Sequence, residues 1–161
     1  MTTLYHGSLE IVTSPEIRTP GRTLDYGAGF YLTSSYEQAD AWVKRKFRGD
    51  IVKGYVNAYD YNEALEGDLD VLEFTKPEEA WLDFVMANRM NRNFSHSHDV
   101  VKGPVANDRV YASFALYEAG LIDKVTLINE LRAYKLVNQI LLHTERALNC
   151  VRWTEAKEIV K

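Results

Sequence analysis

The stretch Asp25-Tyr26-Gly27-Ala28-Gly29-Phe30-Tyr31-Leu32-Thr33 concentrates residues able to do chemistry. Two glycines one residue apart let the backbone pass close to a flat partner or take positive φ. Tyr26, Phe30 and Tyr31 place rigid aromatic faces beside that backbone. A glycine–aromatic lip of this kind suits a planar ring joined to a sugar or a phosphate. An ordinary turn in front of core aromatics uses the same residues. His6, taken alone, is a partly buried strand histidine; its interest lies in Gly7 beside it and in the Tyr31 stretch. His96, His98 and His143 do not make a metal set, because two of them are two apart in a polar loop with no carboxylate–histidine motif. Trp42 and Trp81 fall on apolar stripes and read as core. Arg89 and Arg92 either reach a diphosphate, which a guanidinium pairs well, or end a solvated helix.

Strands and helices must position these groups. Thr3 to Gly7 reads as a short strand, and Ser8 to Pro20 as irregular chain with two prolines. Phe30 to Thr33 is a strand. Ser34 or Ser35 caps a helix, with Gln38 at capping-box spacing from Ser35. Ala39, Trp42, Val43 and Phe47 follow at helical spacing, and Gly49 ends the run. Ile51 to Tyr61 and Val71 to Phe74 read as strands. Pro77 opens a helix carrying Trp81, Phe84 and Val85. Val100 to Val105 reads as a strand, Asn107 or Asp108 caps a helix ended by Gly120, and Asp123 caps another. Val137 to His143 is a strand, Thr144 to Leu148 a helical turn, and Cys150 to Trp153 a last strand. Helices and strands do not alternate as βαβ units, so the expected class is α+β with mostly antiparallel pairing.

The 161 residues fit a single domain spanning 1–161, with 46% apolar and 26% charged residues. A net charge of −4 argues against a broad nucleic-acid surface. The basic run Lys44, Arg45, Lys46 and Arg48 reads as a solvated helix face, with a phosphate contact as the alternative. A single cysteine, Cys150, excludes an internal disulfide and suits a reducing, cytoplasmic setting. No signal peptide and no membrane-length apolar run are read.

Tyr5-His6-Gly7-Ser8, followed by Tyr26-Gly27-x-Gly29-Phe30-Tyr31-Leu32-Thr33, resembles the ADP-ribosyltransferases of the diphtheria toxin and poly(ADP-ribose) polymerase class. That class carries a His–Tyr–Glu triad on three strands. His6-Gly7-Ser8 matches the first element, and Gly27 to Tyr31 with Ser34, Ser35 and Ala39 matches the second. Asn138-Gln139-Ile140-Leu141-Leu142-His143 is similar to the third, with glutamine at the key position. More narrowly, nearly the whole chain resembles a bacterial family described as ADP-ribosyltransferase-like, of toxin type. That likeness rests on Trp81 to Arg89, Gly103-Pro104-Val105-Ala106-x-Asp108 and the residues from Gln139 to Leu148.

The resemblance implies a split β-sandwich of two small, mostly antiparallel sheets with flanking helices, and NAD as substrate in the cleft. His6, Tyr31 and Gln139 would be catalytic. His6, Gly7, Ser8, Tyr26, Gly29, Tyr31 and Tyr36 would hold the NAD. Gly7 would read the nicotinamide carboxamide through its backbone, His6 a hydroxyl of the adenosine ribose, and Ser8 a ribose hydroxyl. Tyr31 would stack on nicotinamide, with Tyr26 or Tyr36 as a second face. A glutamate at 139 would bind the ribose 2′-hydroxyl and face the developing oxocarbenium charge; Gln139 supplies the hydrogen bond without the charge. Asp108, Glu145 and Asp99 are candidate replacement carboxylates, Asp108 also reading as a helix cap, and Arg89 a candidate diphosphate contact. No metal is called for. The implied activity is mono-ADP-ribosyl transfer to a macromolecule by a toxin-type effector, with a small antitoxin protein as partner. The alternatives are an NAD glycohydrolase, or a degenerate module that binds NAD, ADP-ribose or a protein.

Overall fold

A computed structural model describes residues 1–18, 24–104, 108–133 and 137–161, with residues 108 and 109 described by their backbone alone. The chain runs β1 (Thr2–Ser8), β2 (Phe30–Thr33), α1 (Tyr36–Lys44), β3 (Lys53–Tyr61), β4 (Val71–Glu73), α2 (Glu79–Met90), β5 (Val100–Pro104), α3 (Asp108–Glu118), α4 (Lys124–Ala133), β6 (Asn138–Leu142) and β7 (Val151–Val160). Short 3₁₀ turns at Glu63–Glu66 and Arg146–Cys150 precede β4 and β7. The class is therefore α+β.

Local chemistry explains several boundaries. The Ser35 side chain accepts from the Gln38 N–H at 3.1 Å, which caps α1. Asp123 does the same for α4, accepting from the Thr126 N–H at 2.8 Å. Pro77 stands two residues ahead of α2, whose N-cap is Glu78.

All seven strands join one mixed sheet in the order β4-β5-β6-β2-β1-β3-β7. Two separate small sheets were expected; the strands are continuous instead. One seam is thin. β2 and β1 meet in register at Tyr5↔Thr33, whereas β1 and β3 pair from Thr2↔Tyr61 through Ser8↔Tyr55. Among the described strands, only β4 and β5 run parallel. β7 extends well past Trp153, the expected end, and pairs with β3 through a bulge at Ala58/Tyr59.

Alternation along the strands splits the core into two faces. Val101, Leu141 and Tyr31 pack with α2, α3 and α4 around the fully buried Trp81, Leu82, Val85, Phe114, Leu127 and Leu131. Leu4, Phe30, Leu32, Tyr59, Tyr61, Val100 and Leu142 fill the other face under loops and the 3₁₀ turns. A smaller cluster under α1 joins Ala39 and Val43 to Val56 and Ile159. Each fully buried Leu or Val contributes about 1.5–3 kcal/mol of apolar burial. Among the described residues, no helix is long and apolar enough to cross a membrane.

Candidate functional site

The thin seam is where the expected site residues meet. Continuing in register from Tyr5↔Thr33, His6 would face Leu32 and Gly7 would face Tyr31, and the ladder does not extend there. Instead, His6 Nδ1–H donates to the Tyr31 carbonyl at 2.7 Å. An imidazole thus takes the acceptor that a ladder N–H would normally use. The ring stacks on Phe30, with centroids 4.2 Å apart. Burial pushes the His6 imidazole down from 6.5 to about 4, helped by Lys46 and Arg18 and opposed by the Tyr31 hydrogen bond and Glu10. His6 is therefore neutral near pH 7, with Nδ1 protonated and Nε2 carrying the lone pair.

Gly7 packs directly under α1. A Cβ there would lie 2.5 Å from the Ala39 carbonyl oxygen and 3.0 Å from Val43 Cγ2. Helix packing alone thus requires this glycine, whatever its backbone binds. Ser8 Oγ accepts from the Glu10 N–H at 3.2 Å.

The lip before β2 is held by side chains. Three consecutive carbonyls, those of Tyr26, Gly27 and Ala28, face ring donors. His96 Nε2 lies 2.8 Å from the first, the Tyr31 hydroxyl donates to the second at 2.5 Å, and His143 Nδ1 lies 2.5 Å from the third. The Tyr31 hydroxyl also accepts from the Tyr26 N–H at 3.0 Å. Burial raises its pKa far above the usual phenol range, so it stays protonated. His143 and His96 overlap with ring centroids 4.1 Å apart, and His98 pairs with Asp70 at 3.0 Å. Burial pushes His96 down, in keeping with its acceptor role toward the His98 N–H. The three histidines do come together: His96 and His143 prop the lip, and His98 packs behind His96. Among the described residues, no group of three His, Cys, Asp or Glu side chains is arranged to hold a metal ion.

Several expected roles change on this frame. Tyr26 is 0% exposed and offers no stacking face. Its hydroxyl donates to the Pro104 carbonyl at 2.7 Å and accepts from Trp81 Nε1 at 2.9 Å, so it is a core strut. Tyr36 belongs to the α1 cluster, edge-on to Tyr5 at 5.5 Å and beneath Lys157, with its hydroxyl buried and unpartnered. Gly29 has φ +149°, and its backbone presses on β6. Arg89 is committed to Asp25 and Glu118, both at 3.1 Å, and packs over Tyr111 and Phe114. Asp99 is buried and structural. Arg146 at 2.7 Å and Thr144 at 2.6 Å hold its carboxylate far below the usual range. Glu145 opens the second 3₁₀ turn. Asp108 begins α3, and its side chain lies outside the described residues, as does Asn107.

Gln139 is 7% exposed and opposes Thr33 on one side and Gly103 on the other. It shares its face with Tyr31 and Leu141, and its Nε2 has no hydrogen-bond partner. The neighbouring Tyr26 hydroxyl donates to Pro104 and accepts from Trp81. Tyr31 and Gln139 thus stand on one face of the sheet, and His6 stands on the other with Phe30. The imidazole reaches Tyr31 only through that residue's carbonyl. A separate cavity of about 490 Å³, lined in part by Lys76, Glu78, Pro104, Arg132 and Asn138, includes none of His6, Tyr31 or Gln139.

Residues 2–153 match a family model described as "Protein of unknown function (DUF3990)". The match spans nearly the whole chain, and the chain belongs to that family. No curated protein matches it.

Proposed function

We propose that this chain is an NAD-dependent mono-ADP-ribosyltransferase, a cytoplasmic toxin-type effector acting on a macromolecule and held in check by a small antitoxin protein. One observation carries the reading: the β1–β2 ladder breaks at Gly7 and Tyr31, beside a neutral histidine. In this reading the seam is the cleft of a split sandwich. Gly7 reads the nicotinamide carboxamide with its backbone, and Tyr31, its hydroxyl clasped, stacks its ring on nicotinamide. His6 Nε2 accepts from a ribose hydroxyl on the opposite face, and Ser8 lies beside it. The ligand therefore crosses the seam.

The unpartnered Gln139 Nε2 suits a ribose hydroxyl oxygen, because a buried donor without an acceptor costs about 1–3 kcal/mol. In the reaction the nicotinamide–ribose bond breaks, the acceptor's nucleophile bonds to the same carbon, and its proton leaves to solvent. Gln139 brings no charge to this step, so catalysis rests on positioning.

The test is incubation of the protein with NAD labelled on its ADP-ribose half, with and without cell lysate. Nicotinamide release with label on a macromolecule, both lost in His6→Ala, is the expected result. Release without bound label would reassign the chain as an NAD glycohydrolase. A folded protein that neither binds NAD nor releases nicotinamide overturns the reading.

A further inference from the structure

Asn57 sits at the centre of β3, directly opposite His6 in the β1–β3 register, so the two side chains share a face. It is fully buried, and its carboxamide uses its whole hydrogen-bonding capacity. Nδ2 donates to the His6 carbonyl at 3.4 Å and to the Glu10 carbonyl at 3.2 Å. Oδ1 accepts from the Val12 N–H at 2.9 Å and from Trp153 Nε1 at 3.3 Å. Tyr59, two residues on, donates its hydroxyl to the Val12 carbonyl at 2.6 Å. Two β3 side chains therefore pin the segment after β1 back onto the sheet, on the face that carries the His6 ring.

Asparagine disfavours strand interiors, where a β-branched residue packs better. Its advantage here is chemical, since one planar group must satisfy carbonyls and N–H groups at once. A leucine of similar size would leave two carbonyls and two N–H groups without this partner. An aspartate could accept but not donate.

We propose that Asn57 is the positioning residue of the His6 side of the seam: it fixes the His6 backbone and holds the Glu10–Val12 segment beside the imidazole, so that Nε2 is presented to the ligand in a set place. This rests on the proposed function for the ligand's identity, though not for the positioning itself. The segment also shields His6 from water, in keeping with its depressed titration. The charged groups acting on the ring are Lys46, Arg18 and Glu10. Releasing the segment lets water reach the imidazole, and burial, the main cause of its depression, weakens.

The test uses Asn57→Ala, the conservative Asn57→Ser, and Tyr59→Phe, which frees the Val12 carbonyl without touching Asn57. The His6 ring is titrated by NMR in each, NAD affinity is measured by calorimetry, and folding is checked by thermal unfolding. Asn57→Ala is expected to raise the His6 midpoint by about one pH unit or more and to weaken NAD about tenfold. Asn57→Ser and Tyr59→Phe should shift both the same way by less. If Asn57→Ala fails to fold, these two milder variants decide. A His6 midpoint unmoved in the folded variants overturns the proposal. A moved midpoint in a protein whose wild type ignores NAD keeps the positioning role and removes the ligand reading.

Discussion

On the Tyr31 side of the seam, side-chain rings hold three consecutive carbonyls of the lip, and Tyr26 is bolted to Trp81 and Pro104. On the His6 side the ladder stops, a neutral imidazole fills in for it, and two β3 side chains, Asn57 and Tyr59, pin the following segment. One region resists deformation through redundant contacts. The other replaces the missing ladder with side-chain bonds and keeps the His6 Nε2 lone pair unspent. Within one sheet, the difference separates a clasped aromatic lip from an interior strand whose ladder to β2 is interrupted.

The comparison breaks most sharply at Gly29. Its φ of +149° is a conformation L side chains rarely adopt, and a Cβ there would collide with the Leu142 carbonyl and sit 2.5 Å from Leu141 Cδ1. Strain of about 1–3 kcal/mol adds to overpacking of about 1–3 kcal/mol. Gly29→Ala is therefore expected to lose about 4 kcal/mol in urea unfolding, a large share of a single domain's stability of about 5–15 kcal/mol. A loss below about 1 kcal/mol would mean that the lip is not rigid and that the contrast between the two sides is wrong.

His6 offers a smaller and pH-selective effect. The folded midpoint near 4 lies below the 6.5 of the unfolded chain. Between these values the unfolded state binds a proton that the folded state does not, so stability falls as pH drops from 6.5 toward 4. The full window is worth about 3 kcal/mol. His6→Phe keeps a ring against Phe30 and removes this dependence, at a neutral-pH cost of about 1 kcal/mol for the lost bond to Tyr31. Urea midpoints of the two proteins should therefore converge and then cross as pH falls through that window. Curves that stay parallel from pH 7 to 4 would show that His6 is not buried neutral.

Much of the scaffold was legible because its signals are local. Ser35 and Gln38 mark the start of α1 within four residues, and Asp123 marks α4 in the same way. β7 was read short because Thr154-Glu155-Ala156-Lys157-Glu158 is polar; β3 supplies the pairing that extends it, and that partner is about a hundred residues away. The expected roles at His6, Gly7, Tyr31 and Gln139 came from short motifs, and the structure puts those residues on three neighbouring strands. Tyr26 was read as an open face because its partners, Trp81 and Pro104, are 55 and 78 positions distant. The histidine props were invisible for the same reason. His143 reaches Ala28 across 115 residues, a contact no spacing rule contains. Asn57 left a weak signal, a polar residue in the middle of an otherwise strand-like run.

The smallest expected effect lies at Gln139, and its sign sharpens the comparison most. The residue stands on the rigid side, 7% exposed, yet its Nε2 is the donor there without a partner. Leucine fills a similar volume among Leu141, Val101 and Tyr26 and brings no polar atom. Gln139→Leu is therefore expected to raise stability by about 1 kcal/mol, through release of the desolvated amide. If the proposed role of Gln139 holds, the same change should remove its contact to a ribose hydroxyl and weaken NAD binding. Stability gained together with binding lost is the trade expected where a site keeps an unfavourable group for its ligand. A Gln139→Leu protein less stable than wild type would mean that the amide is satisfied in solution. The rigid side would then be scaffold throughout, and whatever binding the seam performs would fall to His6 and the backbone of Gly7.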